Sequence, residues 1–397
     1  MEFVKLGKLC KIQSGGTPSR REKSYWENGI YPWAKISDLE IANDGYIYDT
    51  EEYISEEGLK AIRNRFFEEG TLLLAMYGSV GKTAITKIPL TTNQAILGLN
   101  ILDKSELDLS YLRYWLYSEK SRLIDKAVGV ALKNISLGIV KELEIPLPPL
   151  EEQKAIAARL DKADQIRQLN QQIINHYDEL IQALFIDMFG DPVKNEKGWE
   201  KKKLKDILYY IDSGWSPVCE NIPRNNINEW AVLKLGSISN GKYNFKENKL
   251  FKSEIDESKL KNEVKNGDLL FVRKNTLHLV GRTVYVNKTE PKLIIPDTIF
   301  NLKYNNSLIN PMFLNLHINS YKFLKIIQSN ASGTAGSMPN ISKSKLLDIK
   351  INYPPLDLQN QFAERVQKIE AQKELAVQAL QQSEDLFNSL LQQAFKK

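Results

Sequence analysis

The chain contains the same long pattern twice. Lys5-Leu6-Gly7-Lys8-Leu9 and then Ser14-Gly15-Gly16-Thr17-Pro18 answer to Lys203-Leu204-Lys205-Asp206-Ile207 and then Ser213-Gly214-Trp215-Ser216-Pro217. Trp33-Ala34-Lys35 pairs with Trp230-Ala231 followed by Lys234, and Gly70-Thr71-Leu72-Leu73 with Gly267-Asp268-Leu269-Leu270. Val80-Gly81-Lys82-Thr83 answers to Val280-Gly281-Arg282-Thr283, Asn134-Ile135-Ser136 to Asn340-Ile341-Ser342, and Pro148-Pro149-Leu150 to Pro354-Pro355-Leu356. Matches that keep their order while the offset drifts slowly are the mark of a duplicated unit, and whatever one copy folds into, the other must too.

Each copy opens with short strands and turns. The apolar runs at 72–76 and 269–272, punctuated by glycine or acidic residues, predict buried strands; 110–127 and 310–329 have helical spacing. Each copy then closes with a long helix. Proline fits a first helical turn, and Glu151, Glu152 and Asp357 favour that positive end. Ile156, Leu160, Ala163, Ile166, Leu169, Ile173, Leu180 and Leu184 keep a three/four rhythm, as do Phe362, Val366, Ile369, Ala376, Leu380, Phe387 and Leu390. That is a coiled-coil pattern, and the other copy's helix is the nearest partner. Gly190 and Pro192 stop the first helix. The expected class is α+β: a mixed domain over 1–147, a helix over 148–190, a second mixed domain over 191–353 and a last helix over 354–397.

Composition narrows the function. A net charge of +5 permits an acidic partner without demanding one. Cys10 and Cys219 stand far apart, and His176, His278 and His317 are scattered, so neither a disulfide framework nor a Cys/His metal site is expected. The expected compartment is the cytoplasm, with no signal peptide and no membrane span.

Two motifs imitate catalytic ones. Gly81-Lys82-Thr83 resembles the end of a phosphate-binding loop, but the first glycine of that loop would fall on Met76. The second copy has Arg282 for the lysine and no glycine matching Gly78. A strand–turn–strand element with glycine at positive φ is the better reading. Asn352-Tyr353-Pro354-Pro355 has the wrong order for an amino-methyltransferase motif, and the first copy has only Leu147-Pro148-Pro149 there. Glu51-Glu52 and Glu68-Glu69 read as solvated charges. No catalytic set is found.

The duplicated Pro-Pro-Leu junctions, the glutamines Gln153 and Gln359 that follow them, the stretch Leu184-Phe185-Ile186-Asp187-Met188-Phe189-Gly190-Asp191-Pro192 with Gly198-Trp199-Glu200, and the twice-used Gly-Lys/Arg-Thr turn together resemble the specificity subunits of Type I restriction–modification systems. The resemblance covers the whole chain. It implies two target recognition domains, each reading one half of a split double-stranded DNA sequence, with the long helices antiparallel and setting the spacing. It implies no catalysis by this chain and no cofactor bound to it. Two modification subunits would methylate adenine with S-adenosylmethionine, and restriction subunits would use ATP and magnesium.

If the chain reads DNA, Arg, Lys, Asn, Gln and hydroxyl side chains on loops present in both copies are the candidates. In the first copy these are Ser14, Thr17, Arg20 and Arg21 in one glycine-rich turn, Lys35, then Tyr77, Ser79 and Lys82 on the Gly-Lys-Thr turn, Asn93 and Gln94, and Lys133 with Asn134. In the second copy they are Ser216, Lys234, Arg273, Lys274, Asn275, His278, Arg282, Thr298, Ser337 and Asn340. Trp33 and Trp230 are read as core anchors. The two copies differ most in these loops, which predicts an asymmetric target.

Overall fold

The computed structural model describes residues 2–126, 134–239, 241–253, 255–332 and 338–395. It separates into two compact units, one of Met1–Ile174 with Leu375–Lys397, the other of Asn175–Glu374.

In the first unit a five-stranded sheet runs Cys10–Ser14, Ile96–Ile101, Leu72–Ala75, Thr83–Thr86, Tyr46–Ile47, antiparallel except for its last pair. A second sheet orders Glu52–Ile54, Tyr31–Ala34 and Thr91–Thr92, the first pair antiparallel and the second parallel. The second unit repeats this with Leu208–Ser213, Ile299–Tyr304, Leu269–Val272 and Thr283–Tyr285 in one sheet, and Asn248–Leu250, Ala231–Leu233 and Leu293–Ile294 in the other.

The central strands show why the sequence takes this form. Leu72 and Leu74 enter one core while Leu73 and Ala75 enter another. Leu269 and Phe271 part from Leu270 and Val272 in the same way. Side chains alternate across a strand, so an unbroken apolar run means both faces are covered. A short antiparallel ribbon then closes each domain: Phe3–Lys5 on Glu144–Pro146, and Glu200–Lys203 on Lys350–Tyr353. Each domain therefore ends beside its own beginning, where the long helix starts.

The long helices are Leu150–Phe189 and Leu356–Phe395, 40 residues each, about 60 Å at about 1.5 Å per residue. They pack together antiparallel. In the first unit Asn170 Nδ2 donates to the carbonyl of Ala379 and to Ser383 Oγ, both at 3.2 Å, and Leu160 and Ala163 join Phe387 and Leu391 in one core. In the second, Phe185 and Phe189 meet Phe362 at ring distances of 5.7 and 5.2 Å, and Lys373 pairs with Asp178.

The expected helix stripe needs correction. Leu160, Phe362, Val366 and Phe387 are buried, and Ile156, Leu184 and Ile369 pack partly buried against the cores; Leu380 is half-buried. Ile166, Leu169, Ile173 and Leu180 instead face solvent, at 47, 49, 43 and 49 % exposed. The seam runs through Gln153, Ala157, Leu160, Asp164, Arg167, Ile174, Asp178, Ile181 and Phe185, and four of these nine positions are polar. A rule that follows apolar residues steps off that line wherever the seam carries a hydrogen bond or an ion pair.

Strand register corrects one correspondence as well. Trp33 pairs with Thr91, and Val232 with Ile294. Thr92 and Ile295 accept equivalent backbone bonds, from Gly16 and Trp215. Trp33 therefore corresponds to Val232, and Lys35 to Lys234. Trp33 is buried and its Nε1 donates to the Gly16 carbonyl at 2.9 Å; Trp230 is only half-buried.

Candidate nucleic-acid interface

Four loops are knitted together in each unit by backbone hydrogen bonds. In the first, Gly15 and Gly16 donate to Ile96 (3.1 Å) and Thr92 (2.8 Å), Met76 to Ala95 (2.8 Å), and Ile135 to Met76 (3.1 Å). Tyr77 bridges Asn134. In the second, Gly214 and Trp215 donate to Ile299 (3.2 Å) and Ile295 (2.9 Å), Arg273 to Thr298 (3.0 Å), and Ile341 to Arg273 (2.8 Å). Lys274 bridges Asn340. The repeated glycine is needed for this closure. A Cβ on Gly15 would lie 2.1 Å from the Thr92 carbonyl oxygen, and one on Gly214 would lie 2.0 Å from that of Pro296. The requirement is close backbone approach, not an unusual φ.

Different side chains fill these matching frames. In the first unit Thr17 donates to Gln94, both outward, and Asn93 Oδ1 accepts from the Ala95 amide at 3.0 Å. In the second, Ser216 and Asp297 bond each other twice, at 2.5 and 3.0 Å. Arg273 Nε donates to Asn340 Oδ1 at 3.1 Å with its guanidinium over Phe300. Thr298 lends its carbonyl to the amides of Arg273 and Lys274, and Asn275 is buried. Arg21, Gln94, Tyr77, Asn134, Ser216, Lys274 and His278 are exposed. Lys133 and Ser337 lie outside the described residues.

Several cations expected here are already engaged. Arg20 meets Glu52 at 2.5 Å and lies over Trp26, 3.6 Å from its centroid. Lys35 pairs with Glu51 at 2.8 Å and Glu52 at 2.7 Å, and those hydrogen bonds raise its pKa. Arg20 holds the Glu52 carboxyl below its ordinary range, with Lys35 adding to the effect. Ser79 donates to Glu40. Ser14 Oγ accepts from Arg65 at 3.4 Å. Lys234 is half-buried at the start of the helix Gly236–Ser239.

The Gly-Lys-Thr turn is strand–turn–strand in both copies, with Gly78, Gly81 and Gly281 at φ 63, 81 and 86°. The Ala75 amide donates to the Lys82 carbonyl, as the Val272 amide does to Arg282. The side chains then differ. Arg282 Nε donates to the His278 carbonyl of its own turn at 3.5 Å. Lys82 is half-buried in a separate cleft with Arg113, Lys120 and Arg167.

The sequence reading missed Arg65, whose guanidinium pins the first loop through the Gly15 carbonyl at 2.6 Å. It also missed Arg113 and Lys120. Their signal is their seven-residue spacing on and beyond a helix capped by Asp108, which places both beside the Gly-Lys-Thr turn. Among the described residues there is no group of three or more His, Cys, Asp or Glu that could hold a metal ion, and no helix long and apolar enough to cross a membrane.

Comparison with known proteins places this architecture. The family model described as the Type I restriction modification DNA specificity domain matches residues 1–176 and again 196–384. The MjaIX specificity subunit of Methanocaldococcus jannaschii is 34% identical over 246 residues, 57% of this chain and 54% of that protein. The EcoEI specificity subunit of Escherichia coli is 33% identical over 165 residues, 41% of this chain and 27% of that protein. The chain thus spans about half the length of the first and about a quarter of the second. The MjaVIII specificity subunit is matched more completely, 27% identical over 93% of this chain and 86% of its own. Among solved structures, the S subunit from M. genitalium aligns over 100% of this chain and 96% of its own, with a TM-score of 0.56 and 17% identity, and so shares its fold. With the family model matched twice, across both copies of the repeat, the chain belongs to the Type I restriction–modification specificity family.

Proposed function

We propose that this chain is the DNA-reading subunit of a Type I restriction–modification complex and performs no chemistry itself. The observation that carries this reading is the loop cluster. It is built twice on the same backbone bonds and the same close-approach glycine, yet it presents Thr17 and Gln94 in one copy and Ser216, Asp297, Arg273 and Lys274 in the other. A fixed frame with changed polar side chains suits two readers of two different half-sites. The recognition domains are then 1–147 and 191–353, and the target is bipartite and asymmetric. The outward residues Arg21, Gln94, Tyr77, Asn134, Ser216, Lys274 and His278 are the best-placed readers. Arg20, Lys35 and Ser79 hold the loops through their carboxylate partners.

The two helices act as spacer and dock. Each unit holds part of each helix, and in this reading helix length sets the gap between half-sites. Ile166, Leu169 and Ile173 form an outward apolar stripe within the first unit. Such a stripe suits a helix of a modification subunit, two of which would methylate adenine with S-adenosylmethionine. ATP and magnesium would act on restriction subunits, and the complex would work in the cytoplasm. Methylation mapping in a host expressing the chain with a modification subunit tests this. A split, asymmetric motif is expected. A palindromic or unsplit motif, or methyl transfer from S-adenosylmethionine by the purified chain alone, would overturn it.

A further inference from the structure

The cleft behind the Gly-Lys-Thr turn has no role in the reading above. Lys82, Arg113, Lys120 and Arg167 line it with Asp164, four cations against one carboxylate. All five belong to the first unit. Asp164 is already engaged, 2.5 Å from Arg167 Nη2, 3.5 Å from Arg113 Nη2 and accepting from Gln168 at 3.1 Å. Glu40, a carboxylate whose charge acts on Lys82, accepts from Ser79, and Asp161 accepts from Tyr114 at 2.7 Å. Among the described residues, neither Lys82 nor Lys120 has a carboxylate within 4.0 Å. The Lys82 ammonium is pushed below its ordinary pKa by burial, and further by Lys120 and Arg113. Like charges held this close destabilise the empty site.

Two glycines make room for the cluster. A Cβ on Gly45 would lie 2.1 Å from Arg113 Nη2, and one on Gly81 would lie 2.9 Å from Lys120 Cγ; both glycines have positive φ. The cavity, about 70 Å³, is far below the about 300 Å³ at which pockets begin to enclose whole small molecules. It suits one group, not a nucleoside.

The second copy shows that the fold does not need this charge. Helix caps Asp108 and Asn310 put Arg113 and Tyr117 in register with Asn315 and Asn319. There Thr283 and the two asparagines form a neutral network, with Thr283 Oγ1 donating to Asn315 Oδ1 at 2.9 Å and Asn319 Oδ1 accepting from the Thr283 amide at 3.1 Å. Lys322, in register with Lys120, pairs with Asp191 at 2.6 Å. Lys373, in register with Arg167, pairs with Asp178. The same scaffold closes over amides in one copy and, in the other, over four cations of which Asp164 pairs only Arg113 and Arg167.

We propose that the cleft of Lys82, Arg113, Lys120 and Arg167 is a binding site for a single phosphate group, occupied by a DNA backbone phosphate in the complex and by inorganic phosphate otherwise. The backbone source rests on the DNA-reading function proposed above; the phosphate chemistry does not. Lys82 then anchors the first unit on the backbone rather than reading a base.

The test uses the full chain, the double variant Lys82→Gln/Lys120→Gln, the single variant Lys120→Gln as a milder change at an exposed residue, and Lys104→Gln as an exposed-lysine control. Thermal unfolding is followed in chloride and in inorganic phosphate at equal ionic strength. Phosphate should raise the melting temperature of the wild type and the control by several degrees more than that of the double variant. In chloride the double variant should melt no lower than the wild type, because a repulsive pair has been removed. Duplex binding is then measured against salt. A slope shallower by about 0.9 in the double variant marks one lost backbone phosphate. A phosphate-specific thermal gain with an unchanged slope assigns the site to free phosphate. Equal phosphate responses in wild type and both variants overturn the proposal, as does a double variant that melts lower by the same amount in both salts. If the wild-type chain binds no duplex but keeps the phosphate-specific gain, the DNA-reading function fails and the site stands.

Discussion

His317 makes the second unit sensitive to acid. It lies on the helix Pro311–Asn319, buried among Phe323, Phe313 and Phe185 at ring distances of 4.5, 5.6 and 6.1 Å. Among the described residues its Nε2 has no hydrogen-bond partner. Burial drives its pKa down to about 3 from the ordinary value of 6.5. In the unfolded chain the imidazole takes a proton near pH 6.5, and in the folded chain it refuses one. The stability of the neutral form is therefore complete above pH 6.5 and is lost progressively as pH falls toward about 3. Each pH unit within that window costs about 1.4 kcal/mol. Near pH 5, before carboxylates titrate strongly, the loss is about 2 kcal/mol. The first unit places Trp115 at the matching position, seven residues after its own helix cap, and carries no such liability. Two-unit chains need not unfold in one step, so the measurement is hydrogen exchange by mass spectrometry. It follows the helices Pro311–Asn319 and Leu109–Ser118 in urea between about pH 7 and about pH 5. Opening of the second helix should become easier by about 2 kcal/mol relative to the first. In His317→Leu the difference should vanish. Parallel pH dependence of the two helices in the wild type, or an unchanged dependence in His317→Leu, would refute the reasoning.

The glutamines after the double prolines anchor each helix to its domain. Buried Gln153 accepts from the Asp108 amide at 2.9 Å and donates to the Glu106 and Pro148 carbonyls, both at 2.8 Å; Gln359 repeats this with Asn310 and Pro354. Urea titration of Gln153→Leu should show a loss of about 2–4 kcal/mol, since three backbone groups, the buried Pro148 carbonyl among them, lose their partner. Gln359→Leu, with two such bonds, should lose less. Gly15→Ala and Gly214→Ala should each spread one loop cluster while leaving its twin intact. Methylation mapping should then show relaxed specificity in one half of the target, a different half for each variant. Inserting four residues, about one helical turn, between Leu169 and Ile173 should lengthen the unspecified gap in the methylated motif; an unchanged gap would sink the spacer role.

How much of this was legible in the sequence depends on what each residue had to satisfy. The repeat, the strands at Leu72–Ala75 and Leu269–Val272 and, to within two residues, both helix starts are readable, because burial on two faces and a double proline just before a helix leave local marks. The helix seam was not, because Asp164, Arg167 and Asp178 occupy positions where periodicity looks for leucine, while Ile166, Leu169, Ile173 and Leu180 face outward. Trp230 misled for a related reason: a shared indole suggested a correspondence that strand register places two residues further on. Arg20 and Lys35 stand apart from Glu51 and Glu52 in the sequence and meet them only in space.

The duplication supplies an internal control that separates scaffold from site. Where both copies keep a residue in the same geometry, as with Gln153 and Gln359 or Gly15 and Gly214, the shared fold explains it. Where the geometry persists but the chemistry changes, the fold can no longer be the reason. Thr17–Gln94 gives way to Ser216–Asp297 on an unchanged backbone frame, and Arg113 with Tyr117 gives way to Asn315 with Asn319 around an unchanged threonine. The neutral asparagine version shows that these positions can be closed without unpaired charge. A chain that instead keeps Lys82 half-buried beside three other cations, two of them already paired with Asp164, sustains a repulsion that a further anion relieves. That is why the cleft behind the Gly-Lys-Thr turn, and not the turn's likeness to an ATP-binding loop, is where a phosphate belongs in this protein.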